Sequence, residues 1–545
     1  MVDDVSAPAA RAAAASGVVL FTLASGQFLM ALDSSVMNVS IATVANDLGT
    51  TVTGIQTAIT LYTLVMASLM ITGGKIGEIL GRKRAFAIGC VIYGAGSLTT
   101  AVSPNLTVLF IGWSLLEVIG AALIMPAIVA LVASNFGAPE RPRAYGIVAA
   151  FGAIAVALGP LIGGLFTTYA SWRWVFAGEV LIVAGILLLT RRIVDAPPEP
   201  DVHLDLVGTA LSALGLGLVV YGVLRAGTWG AVIPKPGAPE WIGLSPVIWL
   251  VIAGGLVLRA FLGWESRRRE RGEGVLIDPA MLDNKLLRGG LTSFFFMYLL
   301  QMGLFFAVPL FLSIALGLTA IETGVRILPL SLALLVVAVG VPRFFPDVSP
   351  RLVVRLGFLS LFLGILTLVA LLEIGVGPEV VTWPMLLAGM GIGALASQLG
   401  SVTVSSVPDE QSAEVGGVQN TVTFLGASIG TALSGAVLIS ALTTSFFAGI
   451  EENPAIPEEL SSQAQVELAG GVPFIPDDQL SAALADVGVT GETADEIVGE
   501  NEEARLDGLR ASLSLLAVLA LIAMFFSNRI PTRQPGSEQE RTPDA

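Results

Sequence analysis

The amino-acid sequence predicts an all-α, polytopic membrane protein. The chain has 545 residues, of which 54% are hydrophobic and only 13% are charged. A soluble domain of this length could not bury so much apolar surface, because single cores stop growing well below this size. The charged residues lie between apolar runs of about 20 residues, the length that crosses a hydrocarbon core. We therefore expect the chain to sit in a lipid bilayer.

Apolar stretches of spanning length recur fourteen times along the chain. They cover residues 17–42, 55–74, 84–102, 106–134, 143–168, 172–191, 205–226, 245–264, 289–313, 322–341, 352–373, 380–402, 413–443 and 508–527. An even number of spans places both termini on the same side of the membrane. The residues before the first span lack the basic stretch that opens a cleaved signal peptide, so we expect this span to be retained.

Basic residues mark one side of the membrane. Arg82, Lys83 and Arg84 lie between the second and third spans, and the loops after spans four, six, eight and ten also carry arginine. The alternate loops, such as residues 46–54, carry almost none. Since cytoplasmic loops accumulate lysine and arginine, we predict a multi-pass protein of the cell membrane (plasma or bacterial inner) with both termini in the cytoplasm.

Most of the net charge of −15 comes from one loop. Residues 451–510 hold 15 acidic residues and 2 arginines, whereas the rest of the chain holds 28 acidic and 26 basic residues. We predict that the external segment 444–507 forms a few short amphipathic helices. It is either a solvated cap or a site for an external partner or cations. The charge pattern does not indicate a nucleic-acid partner.

Two segments of the chain resemble each other weakly. LGTTVTGIQT at 48–57 precedes a span and the basic turn GRKR at 81–84, and LGLTAIETGV at 316–325 precedes a span and SPRLVVR at 349–355. This spacing predicts two related six-helix halves with an inserted helix pair between them, an arrangement typical of transporters. The predicted parts are a cytoplasmic tail 1–16, an N-terminal half 17–191, a cytoplasmic linker 192–204, the inserted pair 205–264, a second cytoplasmic linker 265–288, a C-terminal half 289–527 and a cytoplasmic tail 528–545.

The turn GGKIGEILGRKRAFAIG at 73–89 is more particular than an ordinary positive-inside loop. Its glycines permit a tight reversal, its glutamate can accept hydrogen bonds from a neighbouring helix N-terminus, and its basic pair holds the turn inside. The spacing G-x-x-x-[DE]-x-x-G-R-[KR] resembles the signature loop of the major facilitator superfamily. The gating positions in this resemblance are Gly74, Glu78, Gly81, Arg82 and Lys83.

The segment AVALGPLIGG at 155–164 resembles the antiporter signature of the same superfamily. Gly159 and Pro160 remove a helix hydrogen bond and predict a bend, while Gly163 and Gly164 permit close backbone approach. A generic small-residue packing helix is the alternative interpretation. The following SWRWVF at 171–176 resembles the start of span six in the fourteen-helix drug:proton antiporter branch.

Two further segments resemble this branch. LDSSVMNVSIATVANDLG at 32–49 resembles the acidic signature of span one, through Asp33, Ser34 and Asn38. Ser34 and Asn38, together with Ser114 of span four, are candidates to line the substrate cavity. GGVQNTVTFLGASIGTALSGAV at 416–437 resembles the penultimate span, in which Gln419 and Asn420 are candidates to line the substrate cavity. The resemblance covers the first six spans well and the later half mainly in layout. It implies the major facilitator fold with 14 transmembrane helices, as two six-helix halves and an inserted pair.

One part of the chain departs from the pattern of the branch. The family's span-four signature supplies an arginine and, three residues later, a glutamine that face the cavity. Aligned on IGAALIMP, this chain has Ser114 and Glu117 at those places, which an α-helix puts on one face. Glu179 stands where the family usually has asparagine. Because the resemblance attributes control of proton coupling to that arginine, its absence puts the usual coupling scheme in doubt.

Asp33, Glu117 and Glu179 are the ionisable residues best placed within the predicted spans for chemistry. Packing alone selects against them, since a carboxylate at mid-bilayer depth costs about 2.5–3.5 kcal/mol. Burial favours the neutral acid, and a group that is neutral in one state and ionised in another is a natural proton carrier. We therefore predict proton coupling for these three, with a structural hydrogen bond as the alternative. Glu414 lies near a span end, where snorkelling or a loop position is expected.

The favoured function is secondary active transport, by a proton-coupled antiporter that exports amphipathic drugs or related small molecules through alternating access. The alternatives are a dedicated exporter of one native metabolite, lipid or peptide, a transporter with non-standard coupling, and a non-transporting sensor of this fold. An enzyme is not expected, because no HExxH, GxSxG or His-box sequence occurs and His203 is the only histidine. We expect no cofactor, no metal site and a monomer whose partners are a small-molecule substrate, protons and lipid. The motifs do not identify the substrate.

Overall fold

The structure is a computed structural model. It describes residues 6–50, 52–137, 140–195, 204–235, 237–408, 411–468 and 471–534. His203 and the ends of both predicted tails lie outside these residues. Some side chains within the helices, those of Asn38 and Pro160 included, also lie outside the described part.

The N-terminal half is built from long helices with short connections. Its helices are α1 (Ser6–Asp47), α2 (Val52–Leu80), α3 (Arg82–Ala101), α4 (Leu106–Leu109), α5 (Val118–Asn135), α6 (Arg141–Tyr169) and α7 (Arg173–Thr190). Between α4 and α5 the chain continues without a break as a π-helical segment, Phe110–Glu117. The first helix begins inside the predicted cytoplasmic tail, while its apolar span starts at Gly17, as expected.

Two helices form the inserted pair; they pack against each other, and the first of them also packs against α2. They are α8 (Leu206–Trp229) and α9 (Pro246–Glu270). Each begins at a residue whose side-chain oxygen accepts a backbone N–H two residues later, Asp205 for α8 and Ser245 for α9. Such caps satisfy the donors that a helix start leaves unpaired.

The C-terminal half contributes six long helices and two short ones. They are α10 (Lys285–Leu310), α11 (Ala320–Phe344), α12 (Pro350–Leu371), α13 (Thr382–Val404), α14 (Ser412–Glu452), α15 (Glu458–Glu467), α16 (Asp477–Asp486) and α17 (Glu492–Phe526). Helix α11 starts with a capping box, in which Thr319 and Glu322 each bond the other's backbone N–H. Glu322 is thus a helix-capping residue at the end of its span.

Thirteen helical stretches in the described residues are long and apolar enough to cross a membrane. Helix α3 falls outside this set, since Arg82, Lys83 and Arg84 occupy its first turn. It nevertheless packs between α5 and α7 as a full-length member of the bundle. With α3 included, the helices are consistent with the predicted count of fourteen and with an all-α membrane fold.

The two halves meet closely at the end of the bundle that carries the basic loops. Gly417 of α14 is so near α2 that an added Cβ would lie 3.1 Å from the carbonyl oxygen of Met70. An added Cβ at Gly146 of α6 would likewise lie 3.1 Å from the carbonyl oxygen of Ala338 in α11. The core of the N-terminal half also includes Val415 at the start of α14. This end of the bundle is therefore closed.

At the opposite end, the acidic segment folds as a cap. Helix α14 continues beyond the predicted span to Glu452 and α17 begins early at Glu492, while α15 and α16 are the short helices between them. A small apolar cluster that includes Phe446 and Ile497 holds these helices together. Arg505, which is fully buried, donates to the carbonyl of Ile475 and pairs with Asp477. The cap is thus an ordered unit with a core of its own.

Candidate functional site

Three carboxyl groups converge inside the N-terminal half. They belong to Asp33 of α1, Glu117 at the end of the π-helical segment, and Glu179 of α7. One carboxyl oxygen from each lies within 4.8 Å of those from the other two. Asp33 and Glu117 have no exposed surface, and Glu179 is 1% exposed. The structure thus brings together the three residues predicted for proton coupling.

Glycines on α3 and on the span-four helix make room for this cluster. An added Cβ at Gly96 would lie 2.6 Å from Cγ of Glu117, and one at Gly112 would lie 2.7 Å from the backbone nitrogen of Thr100. One turn or two further along, Gly89 and Gly120 face each other in the same way. Only residues without a side chain allow two helices to approach so closely. This contact sets the glutamate of the π-helical segment directly against α3.

Neighbouring side chains donate hydrogen bonds to one oxygen of each carboxyl group. The indole Nε1 of Trp113 lies 2.6 Å from Oδ1 of Asp33, and the ring of Trp113 stacks on Tyr62 with centroids 4.8 Å apart. The Thr100 hydroxyl donates to Oε1 of Glu117 at 2.8 Å.

Glu179 is held from α3 alone. Its Oε2 accepts from the Tyr93 hydroxyl at 3.2 Å and from the Ser97 hydroxyl at 2.9 Å. Every carboxyl group therefore has a fixed orientation.

The remaining oxygens are buried without a hydrogen-bond partner among the described residues. They are Oδ2 of Asp33, Oε2 of Glu117 and Oε1 of Glu179. No lysine or arginine in the described part of the chain forms an ion pair with any of the three. Three adjacent charges in a buried site repel one another and lose their hydration, so the cluster favours bound protons over full ionisation. Such a cluster is chemically able to bind and release protons.

The antiporter-like segment forms the contact between α1 and α6. Gly159 faces Ser35, whose hydroxyl donates to the carbonyl of Val156 at 3.1 Å. An added Cβ at Gly163 would lie 3.2 Å from Val36, and Gly164 is buried beside it. Helix α6 continues through position 160 as one element. The small residues therefore let α6 lie directly against the helix that carries Asp33.

The loop between α2 and α3 is bound to the end of α7. Gly81 adopts a φ of +91°, a backbone conformation that favours glycine, and Gly74 is buried in the last turns of α2. The carboxyl of Asp195 accepts the backbone N–H of Lys83 at 3.0 Å, and Lys83 Nζ donates to the carbonyl of Ile193 at 2.8 Å. Arg82 is half-buried in the same turn.

A buried group of charges joins this loop to the C-terminal half. Lys75 Nζ lies 2.7 Å from Oε2 of Glu78 and 3.4 Å from Oε1 of Glu414. The second oxygen of Glu414 accepts the backbone N–H of Asp278, in the linker after the inserted pair, at 3.2 Å. Glu414 was expected to snorkel or to lie in a loop, but it is largely buried and pairs across the interface between the halves. One residue thus ties together α2, α14 and the linker.

Comparison with known proteins agrees with this geometry. The sequence profile of the Major Facilitator Superfamily matches residues 23–431, three quarters of the chain. The chain belongs to the major facilitator superfamily. The chain is therefore a membrane transporter of this superfamily.

Named relatives within the superfamily are drug-resistance and export proteins. The puromycin resistance protein pur8 of Streptomyces alboniger is 32% identical over 453 residues, which cover 80% of this chain and 84% of that protein. The multidrug efflux pump LfrA of Mycolicibacterium smegmatis is 27% identical and covers 93% of this chain and 94% of the pump. The resemblance to the drug-efflux branch is thereby confirmed.

Solved structures resemble the fold at low sequence identity. The human organic anion transporter MFSD10 superposes with a TM-score of 0.57 at 12% identity, over 94% of this chain and 98% of that one. The proton:xylose symporter XylE superposes with a TM-score of 0.54 at 13% identity, over 96% and 97%. These likenesses show the major facilitator fold.

The residues predicted to line a cavity do not converge on one place as the three carboxyl groups do. Ser114 is buried and its hydroxyl donates to the carbonyl of Ala58 in α2 at 2.9 Å, away from the Thr100 contact of Glu117. Ser34 is half-buried beside Asp33, and the side chain of Asn38 lies outside the described part.

In α14, Asn420 bonds its own helix at the carbonyl of Gly416. Oε1 of Gln419 is buried without a hydrogen-bond partner among the described residues. An amide oxygen in this condition is available to a ligand, so Gln419 keeps its place as a cavity candidate.

The sequence motifs did not single out the donors around the cluster. Trp113, Tyr62, Tyr93, Ser97 and Thr100 all occupy apolar or weakly polar stretches, where they read as packing residues. One feature of the sequence could have predicted these donors: the hydroxyl-bearing residues at 93, 97 and 100 are spaced so that they share one face of a helix.

Proposed function

We propose that the chain is a proton-coupled antiporter that exports amphipathic small molecules from the cytoplasm across the cell membrane. The observation that carries this proposal is the group of three buried carboxyls with no basic partner among the described residues. Such a group stores protons when it is shielded and releases them when water reaches it. The printed names of the relatives, which are drug-resistance and export proteins, support the direction of transport.

The coupling follows from alternating access. In the state closed at the basic-loop end, protons reach the carboxyl cluster from the outside and neutralise it. Rocking of the two halves then opens the basic-loop end, which we assign to the cytoplasm together with both termini. Hydration of the cluster favours ionisation there, the protons leave, and substrate binds before the return step. We propose that a monomer completes this cycle, because each half supplies one side of the pathway.

A proton-driven exporter loses its driving force when the gradient is removed. The test is efflux of a fluorescent amphipathic compound from proteoliposomes that hold the full chain, with and without an imposed pH gradient. We expect efflux against the substrate gradient only while the pH gradient persists. Equal efflux after addition of a protonophore would overturn proton coupling, and absence of any counterflow would indicate a sensor rather than a transporter.

A dedicated exporter of one native compound is the second candidate. Several relatives carry names with a single compound, among them the probable actinorhodin transporter of Streptomyces coelicolor, 29% identical over 494 residues. A panel of chemically unrelated inhibitors tested on an expressing strain distinguishes the two candidates. Resistance to several classes supports a multidrug exporter, and resistance to one supports the dedicated exporter.

A further inference from the structure

The carboxyl cluster of Asp33, Glu117 and Glu179 has the ligand chemistry of a hard metal cation as well as that of a proton store. All its groups are oxygens, supplied by three carboxyls and by nearby hydroxyls. Hard divalent cations such as Ca²⁺ and Mg²⁺ prefer carboxylate and other oxygen ligands. The described contacts of the cluster include no nitrogen or sulfur that would direct it towards a softer metal.

The spacing of the oxygens is compatible with one shared cation. Ca²⁺ binds oxygen at 2.3–2.6 Å, so two ligands on opposite sides of it are about 4.6–5.2 Å apart. Mg²⁺ binds at 2.0–2.1 Å and would need opposite ligands about 4.0–4.2 Å apart. The three carboxyl oxygens all lie within 4.8 Å of one another, a limit that either ion satisfies, so the spacing admits one shared cation without selecting its size.

The unpartnered oxygens are a second observation that indicates a ligand. In each carboxyl group, one oxygen accepts a hydrogen bond from a neighbouring donor, and the other is buried with no partner in the described residues. An unpaired buried acceptor costs about 1–3 kcal/mol, and more when it is charged. Protons satisfy these oxygens at low pH. Once the protons leave, water or a bound cation must satisfy them.

We propose that the cluster binds one hard divalent cation, such as Ca²⁺, between its three carboxyl groups. A divalent ion and one retained proton balance the three carboxylates, which no basic side chain in the described residues neutralises. The titratable groups that face the cluster from the packed helices are Tyr62 of α2 and Tyr93 of α3. Cation and protons therefore compete for the same oxygens. This inference rests on the proposed function only in that it uses the same site.

The position of Trp113 supplies a direct probe. Its indole nitrogen contacts Asp33, so Tb³⁺, a hard ion close to Ca²⁺ in size, would be excited through this ring. Full-length protein in detergent is titrated with Tb³⁺ and, separately, with radioactive Ca²⁺ at pH 8 and pH 5.5. We expect one saturable site at pH 8, at least tenfold weaker at pH 5.5, with Ca²⁺ displacing the Tb³⁺ signal.

The acidic cap is the main competing source of cation binding, and matched variants separate it from the cluster. Glu117→Gln and Glu179→Gln remove a ligand, and each is expected to weaken the site at least tenfold. Glu503→Gln removes an exposed carboxylate of the cap and is expected to leave the site unchanged. Elution as a single species in gel filtration checks that each variant is folded.

The outcomes decide between this inference and the proposed function. Two results would overturn the cation site, whatever the stability of the variants. One is the absence of a saturable site in wild-type protein at pH 8. The other is a site that Glu503→Gln abolishes and Glu117→Gln does not. Proton-driven efflux in proteoliposomes depleted of Ca²⁺ by a chelator is measured alongside. If efflux persists while cation binding is absent, the proton antiporter stands and only the cation site falls.

Discussion

The indole Nε1 of Trp113 lies 2.6 Å from Oδ1 of Asp33, inside a helix bundle where neither side chain is more than 2% exposed. The two residues belong to different spans, α1 and the π-helical segment. Hydrogen bonds to charged groups contribute about 1.5–3 kcal/mol, whereas those between neutral groups contribute about half as much. Trp113 therefore favours the ionised form of Asp33 and opposes the effect of burial.

Replacement of this donor tests its part in proton release. Trp113→Phe keeps an aromatic ring against Tyr62 but removes the N–H, so Asp33 should release its proton less readily. We expect the maximal efflux rate to fall about fivefold to tenfold. Trp249→Phe is the matched control, since that indole donates to the carbonyl of Trp241 at the bundle surface. Equal rates in wild type and Trp113→Phe would contradict this role.

Loss of a single carboxyl group changes the proton chemistry of the whole cluster. Asp33→Asn, Glu117→Gln and Glu179→Gln each retain hydrogen-bonding capacity but cannot ionise. We expect each to reduce proton-driven efflux at least tenfold and to flatten its dependence on external pH, while substrate counterflow without a gradient persists. Glu503→Gln in the cap is the control. Wild-type pH dependence in all three variants would refute the site.

Close approach of α3 to span four requires glycine. Gly96→Ala would place a methyl group 2.6 Å from Glu117, and overpacking of this kind costs about 1–3 kcal/mol. We expect a lower thermal unfolding midpoint in detergent together with loss of efflux. Gly185→Ala in α7 has nothing within 4 Å of the added Cβ and should unfold at the wild-type midpoint or above it. The same midpoint for both variants would count against the glycine contact.

The contact between Lys75 and Glu414 joins the two halves at the basic-loop end, and we predict that it helps to keep this end closed. Glu414→Gln removes one charge from a buried group that joins the halves, a loss of about 1–3 kcal/mol. The measurement is maleimide labelling of Ile71→Cys in a Cys90→Ser background, since Cys90 is the only native cysteine. We expect labelling at least fivefold faster than in the parent protein. Glu500→Gln in the cap serves as control, and unchanged labelling would show that the pair does not hold the closed state.

A pH-sensitive contact lies at the other end of the N-terminal half. The indole N–H of Trp172 and the guanidinium of Arg173 hold the pKa of Asp47 below its ordinary value of 3.8. A lowered pKa stabilises the folded contact above the ordinary value, and the contribution disappears as the pH falls through the lowered one. We therefore expect the effect of Asp47→Asn to be present at pH 7 and to diminish as the pH falls below 3.8.

Hydrogen–deuterium exchange at the start of α7 measures this contact locally. Exchange in Asp47→Asn should be about twofold to fivefold faster than in wild type at pH 7, the range for an exposed ion pair. The ratio of the two rates should fall towards one as the pH is lowered below 3.8. Glu240→Gln, in an exposed loop of the inserted pair, controls for the loss of one charge. A ratio that did not change with pH would contradict the titration of Asp47.

Hydropathy identified the three carboxyl residues because a charge within an apolar span is conspicuous in sequence. Their convergence depends on helix rotation, which a hydropathy pattern does not determine. Glu117 shows this best: α-helical spacing put it on one face with Ser114, but the segment is π-helical, and the two side chains bond α3 and α2 respectively. The extra residue per turn in a π-helix has no sequence signature of its own.

Contacts between the two halves could not be predicted from the sequence either. Glu414 stands near a span end, where snorkelling is the ordinary expectation, and only the fold reveals that Lys75 of the other half faces it. Trp113 was missed for a related reason, since a tryptophan in a span reads as a packing or interfacial residue. By contrast, the loop at 73–89 and the segment at 155–164 were identifiable because particular glycines recur there at fixed spacing.

All three carboxyl groups belong to the same half of the molecule. Rigid rotation of one half against the other leaves the distances among them unchanged, so the transport cycle need not pull the carboxyls apart to change their hold on protons. What changes is the number of water molecules that reach them. Solvation, rather than a rearrangement of ligands, is then the quantity that the moving halves regulate.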